Sequence, residues 1–589
     1  MRAAIFWCAA AGLGCSLACG GGQTRFNLFS TDWEDDRGAS IERVWQRVRS
    51  SPIPAAADVV LGVAGNTDKI IGLPLGGGSP WKFAHPLDAR PVVAGMVVVA
   101  SGGGEAFALD AASGSILWRR PTGGLPLLGA GDDGAVTVVT FRRTGGAGST
   151  MLAVTHDGQV VRQIETDRPL GAPAVLGRMA FVPWASQYVS AIDLANGDET
   201  ARVTLREETS RAWVEGGSLW FGQAAYVRFD EHIRGASTGA ASVVTIPHRE
   251  LPGTPRPMRP GSEPVPPIAN AEDRARIYAR PAATETGAGL CDGRWYATYF
   301  RLAMGFDEKA HLAWSHLHGS DFVGGAAVPG GVILCDDQGK AIALDEKTGG
   351  TLAELDLGEP VKACVVNADS YRATGTPKDA KPLPLQLADA VRAEDAQLAS
   401  AQKMLLRELA ALDDESVTKT LVEIVNDPRT TPEMAAASRV ALATRRNGAS
   451  YLEAALERHY DYMKDVLIAP PVAPIAQALG AMKDRRGAPL LAAHLLDPAD
   501  SDDDVKQAAA ALAVVAGPGE LPALRQFFGM YRASAANDDV ADAVVSVGRA
   551  LIAVEPKTGR AVVDAAANDP TTVPRAREGL HALLDGGKP

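Results

Sequence analysis

Cysteine is scarce in this chain. Six occur among 589 residues, at Cys8, Cys15, Cys19, Cys291, Cys335 and Cys364, and none forms a Cys-x-x-Cys spacing with a His partner. That pattern excludes a structural zinc site of the common kind. A basic excess is missing too. Lys+Arg 58 against Asp+Glu 70 gives a formal net charge of -12, and no basic patch offers itself to a phosphate backbone, which excludes nucleic acid as the partner. Gly-x-Ser-x-Gly, Walker-A, His-Glu-x-x-His and EF-hand patterns are all absent. The runs Gly76–Gly78 and Gly102–Gly104 lack the Lys-Ser/Thr and helix that a phosphate loop needs. No helix-length apolar run suits a bilayer span: Ala3–Ala18 is too short to cross comfortably.

What that run does resemble is a secretory leader. One basic residue, Arg2, precedes it, and it ends Ser16-Leu17-Ala18-Cys19-Gly20 with small residues one and three places before the cysteine. The segment is similar to the bacterial lipobox, with Ser16 where Leu is usual. The resemblance implies a signal peptide over residues 1–18, cleavage after Ala18 and diacylglycerol on Cys19. Cys15, after Gly12-Leu13-Gly14, is a second candidate. Gly20 rather than Asp points, by resemblance to the enteric sorting rule, to the outer membrane facing the periplasm. Cys291, Cys335 and Cys364 then remain, an odd number lying in strand-like apolar runs. They read as buried free thiols, with one disulfide among them as the other possibility.

Beyond the leader a short phrase recurs: an apolar strand ending in Asp, a tight turn with Gly, another strand. Copies are Ala108–Trp118, Ala191–Gly197 and Ala343–Gly349. The Asp carboxylate can accept turn N–H groups, and Gly supplies the positive φ. The residues before each turn are Leu73, Leu109, Val154, Ile192, Phe229, Phe306 and Leu344. They lie roughly 40 residues apart, the length of a four-stranded propeller blade, except for one interval of about twice that. The long interval holds the Pro-rich stretch 247–281, which reads as an inserted loop. The expectation is a β-propeller of about seven blades over 54–369, preceded by a tether over 19–53.

Ala108–Trp118 resembles the Ala-x-Asp-x-x-Thr-Gly-x-x-x-Trp phrase of PQQ-like propeller repeats, with Ser113 in the Thr place. In that family the Trp packs between neighbouring blades. Trp118 keeps it, Trp314 sits one residue early, and Ala201 and Ala353 replace it elsewhere. The family has two branches: periplasmic quinone dehydrogenases with Ca²⁺ in the central channel, and BamB-like binding scaffolds without cofactor. The enzymes show a vicinal Cys-Cys pair and an Asp base beside the metal. This chain has no such pair and no acidic ligand cluster that can be placed, so the resemblance implies the scaffold branch, with no cofactor and no catalytic residues.

The period changes after a Pro- and charge-rich linker, 370–384. Leu409, Leu442, Leu479, Leu512, Val547 and Leu580 recur roughly every 35 residues, the length of a helix pair with its turns. Asp427-Pro428, Asp497-Pro498 and Asp569-Pro570 end helices, and nearby Asp or Thr can cap the next. The pattern resembles HEAT repeats, about six over 385–584, with a tail at 585–589: an α-solenoid.

Two local signals invite chemistry. His316 and His318 would share one face of a strand, with His311 nearby, but no third ligand is placed and a hydrogen-bonded pair is preferred over a metal. Arg458–Tyr462 is polar-aromatic and reads as the capped end of a helical repeat, with a partner-facing helix as the alternative. The functional expectation is a non-enzymatic, lipid-anchored envelope scaffold that binds other envelope proteins. The alternative is a periplasmic quinoprotein-type oxidoreductase with its site at the propeller channel.

Overall fold

The computed structural model describes residues 28–31, 37–143, 145, 148–205, 208–215, 217–223, 225–229, 243–245, 256–258, 275–280, 294–457, 459–461 and 466–586. Cys8, Cys15, Cys19, Cys291, Arg458 and Tyr462 lie outside them. Among the described residues, strands of the first half form seven sheets of four antiparallel strands, one with a fifth strand added in parallel. Each sheet is one blade of a propeller. The seven expected turn markers all fall in, or directly after, the third strand of a blade, from Leu73 in Lys69–Pro74 to Leu344 in Lys340–Asp345. Ring closure comes from Val361–Asn367, which pairs with Val59–Ala64 and so completes blade one with the last strand of the domain.

Burial follows position in the blade. Val97–Gly102 and Gly331–Asp336 are buried along their whole length, because neighbouring blades cover both faces. The outermost strands Val160–Thr166 and Thr351–Asp356 expose alternate residues to water. The turns work as their composition requires. Asp110 Oδ1 accepts from Ser113 N at 2.8 Å and Ser113 Oγ at 2.7 Å. Asp345 Oδ1 accepts from Thr348 N at 2.8 Å and Thr348 Oγ1 at 2.7 Å.

Trp residues fasten one blade to the next at these turns. Trp81 donates its indole N–H to Ala111 O at 3.0 Å, and Trp314 donates to Glu346 O at 3.1 Å. Each ring lies flat over the turn glycine of the following blade. A Cβ on Gly114 would sit 2.5 Å from Trp81, and one on Gly349 2.6 Å from Trp314. Gly72 and Gly305, on the strand beside each Trp, leave the space the ring fills. Trp314 therefore does the expected packing despite its offset, and Trp81 does so without any match to the phrase.

Three segments expected as loop, tether and linker carry more structure than their composition suggests. Ala275–Ala279, inside the presumed Pro-rich loop, is a buried strand of blade six, paired with Trp295–Tyr299. No proline interrupts the sequence between Pro267 and Pro281, so the ladder is free to form there. The described part of the presumed tether is docked. Phe29 is buried edge-on against Trp184, with ring centroids 5.9 Å apart. Helix Arg37–Ser50 lays Ile41, Val44 and Val48 on blades four and five, and Arg47 meets Asp193 at 2.6 Å. The linker is also held. Thr351 and Lys378 exchange backbone hydrogen bonds of 3.0 and 2.8 Å, and Ala373 N donates to Pro329 O at 2.9 Å.

Among the described residues the second half consists of six helix pairs. The first helices are Leu383–Val391, Glu415–Asn426, Ala449–Leu456, Ala488–His494, Leu521–Tyr531 and Pro556–Asn568. Their partners are Ala399–Ala411, Pro432–Ala443, Val472–Met482, Asp502–Val515, Asp538–Val554 and Pro574–Asp585. The six apolar markers all lie on the second helix of a pair and are at most 1% exposed. Each Asp-Pro turn uses its carboxylate to accept the N–H two residues on: Arg429 at 2.9 Å, Ala499 at 2.9 Å and Thr571 at 2.9 Å. Thr431 and Ser501 then cap the following helices, Ser501 in a reciprocal capping box with Asp504. Of the segment expected to end or present a helix, the described residues His459–Asp461 instead form a strand that pairs with Val466–Ile468, between the helices of the third pair.

One apolar core crosses the junction of the two halves. Trp295, Met304 and Phe306 of blade six belong to the same buried cluster as Leu387, Leu405 and the solenoid beyond. Polar contacts seal it. Gln386 accepts from Ser315 N at 2.8 Å and donates to Thr348 O at 2.8 Å, and Arg301 pairs with Asp395 at 2.9 Å.

Candidate functional site

The inner strands of blades two to five and the closing strand surround the propeller hub. Their ends frame a cavity of about 60 Å³, lined in part by Gly95, Gly131, Asp132, Trp213, Glu215 and Asn367. The acidic groups here are engaged in the wall itself. Asp132 Oδ2 accepts from Thr137 Oγ1 at 2.7 Å and faces His156 Nε2 at 2.8 Å, while Oδ1 accepts from Gly134 N at 2.7 Å. The hydrogen bond to Asp132 holds the His156 imidazole above its ordinary pKa. Glu215 accepts the Trp213 indole N–H at 3.0 Å, and Asn367 donates to Ala57 O at 2.7 Å.

This geometry does not suit a quinone and Ca²⁺. Small-molecule sites occupy roughly 300–1,000 Å³, whereas the hub has room for a few waters. Both oxygens of Asp132 already hold wall donors. Of the glycine runs, Gly103-Gly104 is the turn joining strands Val97–Gly102 and Glu105–Asp110.

The histidines come together as strand alternation requires, but not as a metal site. His316 and His318 stack with ring centroids 6.0 Å apart, and His318 Nε2 lies 2.9 Å from Asp336 Oδ2. Burial first, and the nearby His318 second, push His316 down to about 4. His311 stays in its own turn, 3.1 Å from Asp307. Among the described residues, His494, Asp497 and Asp500 alone have the spacing to share an ion. Yet His494 Nδ1 lies 2.7 Å from Asp500 Oδ2 in the turn of its own pair and Nε2 lies 3.0 Å from Leu456 O of the preceding pair, so both ring nitrogens are already engaged. Sequence reasoning missed this trio, whose signal was a His three residues before an Asp-Pro turn.

A larger opening lies in the solenoid. Between helices Leu521–Tyr531 and Pro556–Asn568 runs a groove of about 300 Å³ whose floor includes Phe528, Val562 and Ala565. Arg525 and Arg532 line it and pair with Glu555 and Asp569. Val562, on the groove floor, is 38% exposed. The groove is apolar at its base and charged at its rim.

Fold and surfaces thus define a seven-bladed propeller fused to a helical solenoid. Residues 74–219, from the third strand of blade one to blade five, match the family described as "Outer membrane protein assembly factor BamB". This part of the chain carries BamB-like repeats. Among solved structures, BamB from Moraxella catarrhalis is 14% identical, with a TM-score of 0.29, and the match covers 52% of this chain and 85% of that one. Apo AztD from Citrobacter koseri is 12% identical at a TM-score of 0.31, covering 53% and 98%. No curated protein matches the chain. Among the described residues, no helix is long and apolar enough to cross a membrane.

Proposed function

We propose that this protein is an exported scaffold of the cell envelope, anchored by an acyl chain on Cys19, which binds other envelope proteins through its propeller and solenoid and catalyses nothing. The observation that carries the reading is the match of residues 74–219 to a family described as an outer-membrane assembly factor. The geometry supports it. The hub is too narrow for a sizeable substrate, and the groove between the last helix pairs offers an apolar floor of the size that takes protein side chains. The continuous core at blade six makes the two halves one stiff platform, which lowers the entropy lost when a partner spans both.

Crosslinking in living cells followed by affinity purification of the full chain tests this reading. The wild type is expected to recover reproducible envelope proteins. Val562→Asp, at a partly exposed position of the groove floor, is expected to lose a subset of them while keeping the wild-type urea midpoint. Cys19→Ser is expected to release the protein from the membrane fraction. The reading fails if no partner is recovered and the purified protein instead oxidises an alcohol or sugar with an artificial electron acceptor.

A further inference from the structure

Cys335 and Cys364 come from different blades and meet in one place. Cys335 lies on the second strand of blade seven, and Cys364 on the strand that closes blade one; both are 0% exposed. Directly opposite Cys335 in the antiparallel ladder is Gly324. Opposed residues of such a pair send their side chains to the same face. At that face, a Cβ on Gly324 would lie 2.0 Å from the carbonyl oxygen of Cys364 and 2.9 Å from its Cβ. The missing side chain is thus what admits the closing strand, and it brings Cys364 over the sheet beside Cys335. Burial raises the Cys335 thiol well above its ordinary range, and both cysteines, free thiols in this structure, belong to one buried apolar cluster.

We propose that Cys335 and Cys364 form a disulfide when the chain folds in an oxidising compartment, fixing the closing strand to blade seven. The compartment rests on the export reading above; the pairing rests on the geometry alone. The oxidant is a disulfide, either an exported thiol–disulfide exchange protein or a low-molecular-weight disulfide. The thiolate of one cysteine attacks it, giving a mixed disulfide and releasing one thiol. The second cysteine, deprotonated, then attacks the mixed disulfide and releases the second thiol. The pair loses two electrons and two protons, and the oxidant is reduced to two thiols. Because both cysteines are fully buried in the closed ring, the exchange occurs before Val361–Asn367 docks, and the closed protein is inert to reagents.

Two preparations of the full mature chain test the proposal and separate it from the reading of location. In the first, denatured and reduced protein is refolded in a glutathione redox buffer, trapped with an alkylating reagent and digested without reduction. A crosslinked peptide joining Cys335 to Cys364 is the expected result. Alkylation of both residues, or a crosslink to Cys291 instead, overturns the pairing. In the refolded wild type, reductant is expected to lower the urea midpoint, and in Cys364→Ser it is expected to have no effect; equal midpoints in all four samples would also overturn it. The second preparation is the protein trapped directly from cells. A crosslink there supports both ideas, whereas free thiols in cells beside a crosslink after refolding confirm the pairing and refute export to an oxidising compartment.

Discussion

In the propeller, Val59–Ala64 pairs with Val361–Asn367, almost a whole domain away in sequence. In the solenoid, contacts stay local: Asp502–Val515 packs chiefly between Val472–Met482 and Asp538–Val554, the corresponding helices of the pairs on either side. The ring therefore has no end, while the stack starts buried against blade six and runs to Pro574–Asp585, its last described helix. Closing a ring carries the entropy of a long loop, recovered only when the last strand docks. A stack adds stability pair by pair and can fray from its free end. The same chain thus contains an all-or-none half and a graded half, and the shared core at blade six lets the first brace the second.

The largest test of that contrast sets Trp314→Ala against Leu580→Ala. Trp314 is fully buried, fills the space beside Gly305 and fastens blade six to the Gly349 turn of blade seven. Truncation is expected to remove about 4 kcal/mol and to lower protection of every blade together in hydrogen exchange. Leu580, also fully buried, sits in the last helix of the stack. Its truncation is expected to remove about 3 kcal/mol, with lost protection confined to the last one or two pairs. Uniform loss in both variants would mean that the stack is as cooperative as the ring.

Next in size is a pH effect confined to the propeller. His316 is held at about 4, chiefly by burial between blade six and the Gly349 turn. A histidine whose folded value lies below its unfolded value of roughly 6.5 takes its proton more readily when unfolded. Its contribution is therefore whole above about pH 6.5 and disappears as pH falls towards 4. Allowing for its partial exposure, the loss is on the order of 2 kcal/mol. His316→Gln is expected to flatten the urea midpoint of the propeller across that window while the solenoid transition is unchanged.

The junction gives a smaller, sharper test. Removing the Gln386 side chain strands Ser315 N and Thr348 O at the junction. Gln386→Ala is expected to remove about 1–2 kcal/mol and to speed proteolysis near residues 370–384. The intact protein is expected to resist cleavage there, since that segment pairs with blade seven. Fast cleavage of the wild type at that site would show two independent bodies.

The repeats were legible because each carries its own chemistry. An Asp that must accept turn N–H groups and a Gly that must take positive φ mark blade after blade, and fully buried leucines mark each helix pair. What stayed hidden depended on pairing across the sequence. Trp81 reads as an ordinary apolar residue until the Gly114 turn of the next blade is placed beneath it. Ala275–Ala279 was masked by prolines on both sides. The docked helix had a signal, since Ile41, Val44 and Val48 follow the helical i, i+3, i+7 spacing, but its receiving surface belongs to blades four and five. For the candidate sites the pattern is similar. The His316–His318 pairing followed from strand alternation, whereas the solenoid groove and the Cys335–Cys364 contact required elements distant in sequence.

The smallest test asks whether the stack can loosen at one joint without the ring noticing. Ser501 Oγ accepts from Asp504 N, and Asp504 Oδ2 in turn accepts from Ser501 N, so two otherwise unpartnered N–H groups at the start of Asp502–Val515 are satisfied. Asp504 Oδ1 also accepts from Ala473 N at 2.8 Å, which ties this cap to the preceding pair. Ser501→Ala leaves Asp504 in place and is expected to remove about 1 kcal/mol. The loss belongs to the middle of the stack, so hydrogen exchange is expected to accelerate in Asp502–Val515 and in the two described pairs that follow it. Protection of the blades is expected to stay as in the wild type, because the brace at Leu387 and Gln386 lies upstream of the loosened joint. Accelerated exchange in the closing strand Val361–Asn367 would show that strain travels through the shared core, and that ring and stack fold as one unit.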